Sequence, residues 1–197
     1  MKSRNRLLII DVLIAVSMLA VLAVSARGAG PVAFENASFE QGDQGWATWG
    51  DGDLREAYHA VLPKDGASML RLWKRSGWYQ DMPVSKGDRF LVTAFVATAS
   101  KDALHGDAYG EVKVEWRNKT EGDNETGSPA SVKFDLVGKH DVTLTADQWK
   151  RIDLPEIKAP AGATHARVLL TMWCTDEKGG GCALFDQVSI VALPAMP

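Results

Sequence analysis

Tryptophans are the side chains in this 197-residue sequence whose type and number most suggest chemistry. There are seven of them, against six phenylalanines and three tyrosines. A flat indole ring can stack on the C–H face of a sugar, while neighbouring polar groups bond to its hydroxyl groups. Burial in a core is the alternative, because tryptophan is highly buried on average. Side-chain alternation helps to separate the two, since residues i and i+2 of a strand share a face.

That alternation divides the tryptophans into core and surface candidates. Trp116 alternates with Val112 and Val114 and is predicted to lie in the core. Trp46 and Trp149 are predicted to be structural caps. Four residues are predicted from the sequence pattern to bind ligand: Trp73 and Trp173 by stacking, Arg71 by hydrogen bonding, and Trp49 at the rim of a cleft. The alternative is that these tryptophans cover a second small core under the loops.

Familiar catalytic motifs are missing from the sequence. It has no H-E-x-x-H, P-loop or G-x-G-x-x-G motif. Asp51 and Asp53 lie in a glycine-rich segment and are predicted to form a turn rather than an acid/base pair. The histidines lack metal-ligand spacing: His59, His105, His140 and His165. These observations predict a protein that is not an enzyme.

The N-terminus has the layout of a secretory signal peptide. An apolar stretch over residues 7–24 is interrupted by Asp11, which leaves less than a membrane span needs. Small residues follow, and cleavage is predicted after Ala26 or Gly28. The basic residues that precede the stretch are Lys2, Arg4 and Arg6. An uncleaved anchor helix is the alternative, and only then would the protein be held at a membrane.

The net charge of the chain limits the kinds of molecule that it is expected to bind. Removing residues 1–26 takes away three basic residues and one acidic residue, so the formal net charge falls from −3 to −5. Such a chain is a poor candidate for nucleic-acid binding, and it suits a neutral or cationic partner better. A monomer is expected. The hydrophobic fraction of 46% and the charged fraction of 24% are ordinary for one globular domain.

The presence of two cysteines is consistent with export, because disulfides form outside the cytoplasm. Cys174 and Cys182 flank a polar segment that contains three consecutive glycines, between two strand-like runs. This pattern predicts a hairpin closed by a disulfide.

After the signal, the sequence consists of short strand-like runs separated by Gly, Pro, Asp and Asn. The strongest are residues 89–97, 111–117, 166–173 and 183–190. No segment has a sustained helical period. We therefore predict an all-β domain over residues 30–194, a two-sheet antiparallel β-sandwich of the jelly-roll type.

Several segments also resemble a known family. Residues 34–40 (F-E-N-A-S-F-E) followed by Gly45-Trp46 are similar to the opening of jelly-roll carbohydrate-binding modules of families 4, 9 and 22, in the galactose-binding-like superfamily. Further similar segments, in the same order along the chain, are residues 66–72, 79–90, 149–152 and 183–190. The sequence departs from the family pattern at Ala37, where glycine is usual, and at Gln187, where a second aspartate is usual.

The resemblance implies a lectin-like function and a structural Ca²⁺ ion. Gln80 stands at a position that lies in the binding cleft of such modules, so the resemblance also implies that Gln80 binds ligand by hydrogen bonding and that Trp78, on the same face, binds it by stacking. Carried over to this sequence, Glu40 and Asp186 would supply carboxylates, and backbone oxygens near Asn36 and the turn over residues 64–68 would complete the shell. Ordinary turn and edge charges are the alternative for these carboxylates.

Together these observations predict an exported, non-catalytic module that binds a polysaccharide or oligosaccharide through a face bearing tryptophans. A protein-interaction domain of the envelope or cell surface is the first alternative. A small polysaccharide-active enzyme is the second, and it would need two opposed carboxylates, or a Tyr/His pair, in the groove that holds the tryptophans.

Overall fold

The computed structural model describes residues 30–31, 34–175 and 178–194. The predicted signal peptide, residues 1–28, lies outside these ranges. The described part of the chain forms β-strands and two short 3₁₀ turns, at Ser100–Asp102 and Lys119–Glu121. Across those residues, no helix has the length and apolar character needed to cross a membrane.

Eleven strands are present in the described ranges. In chain order they are β1 (Gly30–Pro31), β2 (Ala47–Arg55), β3 (Met69–Pro83), β4 (Arg89–Ala97), β5 (Tyr109–Asn118), β6 (Asn124–Asp135), β7 (Val142–Thr143), β8 (Lys150–Asp153), β9 (Ile157–Lys158), β10 (His165–Trp173) and β11 (Cys182–Leu193). The four strongest runs in the sequence correspond to β4, β5, β10 and β11. The all-β prediction is confirmed.

Strand β3 connects the two layers of the sandwich. The strand order is β7-β6-β5-β10-β3-β11-β4-β8, with β2 also on β3, β1 on β11 and β9 on β4. Residues 76–83 of β3 pair with β10, whereas residues 70–73 pair with β11. All of these pairs are antiparallel except β6 with β7. The sheet therefore curls on itself into an antiparallel jelly-roll sandwich.

The main core fills the space between the two layers. Alternate residues of β10 point into it, and Val168, Leu170 and Met172 are at most 1% exposed. Phe134 of β6 meets Phe185 of β11 edge to face, with ring centroids 5.7 Å apart. Replacing a buried phenylalanine of this kind by alanine typically costs about 3–5 kcal/mol.

A second, smaller core lies beneath the segment that joins β2 to β3. Its buried members are Val61, Met69, Ala97, Ala99, Cys182 and Leu184. Half-buried Tyr58 and Trp149 pack against it. A second core under the loops was the alternative explanation for tryptophans that point away from the main core. Of the seven tryptophans, only Trp149 packs against this second core.

The predicted disulfide is wrong. Cys174 and Cys182 form no bond with each other. Strands β10 and β11 are not neighbours, because β3 lies between them, so the two cysteines do not close a hairpin. Cys174 belongs to the main core and Cys182 to the second core.

Candidate ligand-binding face

One side of the layer formed by β2, β3, β10, β5 and β6 carries polar and aromatic side chains instead of core residues. Strand alternation produces it, because the opposite side of each strand packs on the main core. We call this side the polar face. Its members are Trp49, Gly77, Tyr79, Asp81, Tyr109, Glu111, Lys113, Glu115, Arg117, Ser131, Lys133, Arg167, Leu169, Thr171 and Trp173.

Aromatic rings gather at one end of the polar face. Register places Trp173 of β10 beside Tyr109 of β5. Trp49 lies across from Gly77, and a Cβ atom at Gly77 would come within 2.7 Å of the Trp49 ring. The Trp49 and Trp173 ring centroids are 5.4 Å apart at an angle of 51°. The structure thus brings together two of the predicted ligand-binding tryptophans. We call Trp49, Tyr109 and Trp173 the aromatic end.

A buried carboxylate orders this aromatic end. The Trp173 Nε1–H donates to Thr171 Oγ1 at 3.0 Å. The Thr171 hydroxyl in turn donates to Glu111 Oε2 at 3.4 Å, and the Ser131 hydroxyl donates to Glu111 Oε1. Glu111 is only 7% exposed. An ionised carboxylate accepts and cannot donate, so it directs the Thr171 proton toward itself and leaves the threonine lone pairs for the indole.

The opposite end of the polar face is a network of ion pairs. Arg167 makes a two-pronged pair with Asp81 at 2.7 and 2.9 Å, and also reaches Asp123 at 3.0 Å. Glu115 accepts from Lys113 and Arg117. Although burial acts to raise it, the pKa of Asp81 is lowered overall by the hydrogen bonds from Arg167 and Lys119. These side chains are held in place by one another.

A tyrosine–histidine pair adjoins the aromatic end. The Tyr109 and His140 rings lie 4.5 Å apart at 34°. Asp135 Oδ2 bonds to His140 Nδ1 at 2.7 Å, and the same carboxylate accepts the backbone N–H groups of residues 137–139. Asp135 is 1% exposed, so it fixes the orientation of the imidazole. A Tyr/His pair beside the tryptophans is what the polysaccharide-active alternative requires.

Two predicted ligand-binding residues lie elsewhere on the surface. The Arg71 guanidinium sits 4.3 Å from the Trp73 ring centroid and 4.4 Å from that of Tyr58. Arg71 also pairs with both carboxylate oxygens of Asp53 at 2.9 Å. Arg71 and Trp73 line a cavity of about 660 Å³ that also includes Asp102 and glycines 179–181.

Two other predicted ligand-binding residues, Trp78 and Gln80, are buried. Trp78 is 6% exposed and packs edge to face on Phe39, with centroids 6.0 Å apart. Gln80 is 9% exposed, and its amide exchanges two hydrogen bonds of 2.9 Å with the backbone of Glu35. Both side chains point toward the core, so the predicted set of Trp73, Trp78 and Trp173 does not form one stacking surface.

The carboxylates predicted to bind calcium hold a turn. Glu40 accepts the N–H groups of Ala67 and Ser68 at 2.9–3.0 Å. Asp186 accepts those of Lys64 and Asp65 at 2.7 and 3.0 Å. Burial raises the pKa of Asp186 to about 6. Among the described residues, no group of three or more His, Cys, Asp or Glu side chains is arranged to hold a metal ion.

The third predicted calcium residue, Asn36, is engaged within its own loop. Its side-chain amide bonds to the backbone of residues 41, 42 and 44. Its backbone oxygen accepts the N–H of Phe39 and the Trp46 indole N–H, both at 3.1 Å. Asn36 therefore stabilises the loop before β2.

Searches with protein-family models and among curated proteins found no match to this sequence. Solved structures do share the fold. A Stig cyclase, Fisc, from Fischerella sp. TAU, in complex with an indole derivative, has a TM-score of 0.61 at 14% identity; the match covers 86% of this chain and 100% of that one. The xylan-binding domain CBM22-1 of Paenibacillus barcinonensis Xyn10C has a TM-score of 0.53 at 20% identity, covering 81% and 94%. TmCBM61 in complex with β-1,4-galactotriose has a TM-score of 0.50 at 18% identity, covering 79% and 94%.

These similarities define the class by fold. The chain has the jelly-roll fold of carbohydrate-binding modules, which bears out the family resemblance at that level. Cyclases share the same fold at low identity.

The prediction that the chain is not an enzyme is corrected by the cyclase structures. It rested on missing motifs, and enzymes occur among the solved structures with this fold. Familiar motifs mark particular chemistries on particular folds, so their absence does not decide whether this fold is catalytic.

Several members of the polar face escaped the sequence analysis. Glu111, Lys113 and Glu115 alternate with the core residues of β5, so the pattern that placed Trp116 in the core also places them opposite it. Tyr79 and Tyr109 gave no such signal, because their partners on the face come from strands distant in the sequence.

Proposed function

We propose that the chain binds a polysaccharide or oligosaccharide on its polar face. The observation that carries the proposal is the Trp49–Trp173 pair, whose rings lie 5.4 Å apart on the strand surface beside hydrogen-bonding side chains. Indole rings offer apolar area for the C–H face of a sugar and lose little entropy on binding, because each has only two side-chain torsions.

Polar groups next to the aromatic pair suit the hydroxyl groups of a sugar. Glu111, Thr171 and Ser131 form one continuous hydrogen-bonded set directly beside Trp173. Sites of this kind combine an apolar surface with a few well-oriented polar groups. The xylan-binding domain and the galactotriose complex among the similar solved structures support the proposal at the level of the fold alone.

Two alanine variants test the location of the site. Trp173→Ala should weaken saccharide binding about tenfold or more, because it removes the ring that joins Trp49 to the Glu111 set. Trp73→Ala is the matched control, since Trp73 is also half-buried beneath an arginine but lines the other cavity. Binding is measured by affinity electrophoresis against a panel of soluble glucans, xylans, galactans and pectins, with circular dichroism confirming the fold.

The outcomes of this pair are distinct. Loss of binding in Trp173→Ala alone supports the polar face. Loss in Trp73→Ala alone would move the site to the cavity of Arg71 and Trp73. A folded wild-type protein that binds no member of the panel would contradict the proposal.

Enzymatic action on the bound saccharide is the second candidate function. The Tyr109–His140 pair favours it, because His140 is oriented by buried Asp135 and lies at the aromatic end, where a bound sugar would reach it. An imidazole that a carboxylate orients in this way can serve as a general acid or base.

Prolonged incubation with each polymer that binds tests this candidate. Depolymerisation is followed by new reducing ends and by absorbance of unsaturated products. His140→Asn should abolish it while leaving affinity within about twofold. A wild-type protein that binds but yields no product after long incubation would contradict the second candidate without affecting the first.

We also propose that Asp186 and Glu40 take part in binding a structural Ca²⁺ ion. The support is chemical: Asp186 is fully buried, its neighbour in the turn is a second carboxylate, Asp65, and Glu40 holds the same turn. Carboxylates and backbone carbonyls are the oxygen ligands that calcium prefers. Bound calcium would supply positive charge to this turn.

We include export in the proposed function, because a protein that binds extracellular polysaccharide must leave the cytoplasm. The N-terminal sequence pattern supports it.

A further inference from the structure

Four cations on the polar face or next to it form ion pairs with carboxylates of that face. Lys113 and Arg117 pair with Glu115 at 2.7 and 3.3 Å. Lys119 and Arg167 pair with Asp81 at 2.8 and 2.7 Å. All four lie toward the ion-pair network, away from the aromatic end.

Two cations at the aromatic end have no such partner. The Arg75 guanidinium lies 5.1 Å from the centroid of the Trp173 ring, and the Lys133 ammonium lies 4.9 Å from that of Tyr109. Within the described residues, neither makes an ion pair with a carboxylate. Because Trp173 and Tyr109 are neighbours across β10 and β5, the two cations flank one aromatic surface.

The contrast with Tyr79 indicates which rings a ligand can reach. Arg167 lies 4.1 Å from the Tyr79 ring centroid but is fixed there by Asp81 and Asp123. Within the described part of the chain, the aromatic ring is the one partner found for the Arg75 guanidinium and for the Lys133 ammonium, an interaction of about 0.5–1 kcal/mol. They can therefore move off the aromatic end at small cost and take a stronger partner.

The described carboxylates near the aromatic end have other hydrogen-bond partners and do not pair with these two cations. Glu111 is buried and engaged by the hydroxyl groups of Ser131 and Thr171. Asp135 is buried and accepts from His140. Asp141 accepts the backbone N–H of Lys133, while the ammonium group points to Tyr109.

We propose that the saccharide bound by the polar face is acidic, and that Arg75 and Lys133 receive its carboxylate or sulfate groups while its ring stacks at the aromatic end. This inference rests on the proposed function and narrows its substrate class. A guanidinium group is well suited to pair with both oxygens of a carboxylate or sulfate, and an ammonium group can add a second charged contact. Although the mature chain is acidic overall, this local pair of cations would attract an anionic polymer.

Matched polymers that differ only in charge test the inference. Polygalacturonate is compared with its fully methyl-esterified form, and a sulfated galactan with its desulfated form, by tryptophan fluorescence at one fixed ionic strength. We expect one charged polymer to bind about tenfold more tightly than its uncharged counterpart. Which pair shows the difference distinguishes carboxylate from sulfate recognition.

Charge-removing variants locate the effect. The double variant Arg75→Gln, Lys133→Gln should lose most of the preference for the charged polymer, because glutamine keeps much of the chain length but no charge. The matched control is Lys150→Gln, Arg151→Gln, at two exposed cations on β8, and it should keep the preference. Circular dichroism and the melting temperature confirm that each variant is folded.

Every outcome bears on one proposal or the other. Equal affinity for charged and uncharged polymers would overturn this inference and leave saccharide binding intact. A preference that persists in the Arg75, Lys133 double variant, or that falls equally in the β8 control, would also overturn it. Failure of all polymers to bind would overturn the proposed function itself.

Discussion

At the scale of the residue, Glu111 gives the candidate site its order. Its carboxylate is buried beneath the polar face and accepts from Ser131 and Thr171, and through Thr171 it fixes the indole of Trp173. A ring whose position is already fixed loses less entropy when a ligand arrives, so a ligand of the polar face would gain affinity from the way the buried acid orients Trp173. It is a positioning residue for the aromatic end.

Trp78 and Gln80 show the limit of alternation as a guide at this scale. The pattern correctly places both side chains on one face of β3. Alternation does not say which face is buried, and the resemblance at Gln80 suggested that this face is exposed. In the structure Gln80 points inward because its amide holds the backbone of Glu35, 45 residues away. A polar residue can thus belong to the core when a distant backbone satisfies it.

At the scale of the element, β3 determines both the fold and the error about the cysteines. The existence and bounds of β4, β5, β10 and β11 follow from local sequence, because β-branched and aromatic residues cluster there. The insertion of β3 between β10 and β11 does not, since it depends on pairing between residues about 100 positions apart. The same long-range pairing assembles the polar face.

Because β3 separates β10 from β11, we predict that no disulfide joins Cys174 to Cys182. Cys174 and Cys182 should both react with Ellman's reagent in denaturant without reductant, giving two thiols per chain. In the folded protein Cys182 should be unreactive near neutral pH, because it is fully buried and burial raises its thiol pKa to about 12. A fully reduced, denatured sample serves as the control. No thiol signal in denaturant before reduction would restore the disulfide.

Strand β6 shows a related limit. Residues 118–131 are polar and contain glycines, a composition typical of a long hairpin loop, yet Asn124–Asp135 forms a strand paired with β5. Much of this strand is exposed, so its sequence lacks the apolar alternation that usually marks a strand. Its backbone hydrogen bonds to β5, and not an apolar pattern, define it.

At the scale of the whole molecule, Asp186 links the last long strand to the turn over residues 64–68, more than 120 positions earlier. Burial raises the pKa of Asp186 to about 6 in the folded protein, whereas the ordinary value of 3.8 applies when the chain unfolds. The folded state therefore holds more protons between these values. The contribution of Asp186 to the free energy of unfolding should therefore be greatest below about pH 4. It should fall by up to about 3 kcal/mol as the pH rises through 6.

Chemical denaturation between pH 4 and 7 checks this prediction, with Asp186→Asn as the control. The variant should be less stable, because an amide cannot accept all of the backbone N–H groups, and the Asp186 contribution to its pH slope should be absent.

Calcium acts in the opposite direction, since its ligands must be deprotonated. If Asp186 binds calcium, excess Ca²⁺ should raise stability most at pH 7 and reduce or reverse the fall, relative to a chelator. A pH profile that is identical with calcium and with chelator would refute the calcium proposal. If the stability difference between wild type and Asp186→Asn in chelator does not shrink as the pH rises from 4 to 7, the raised pKa of Asp186 is refuted.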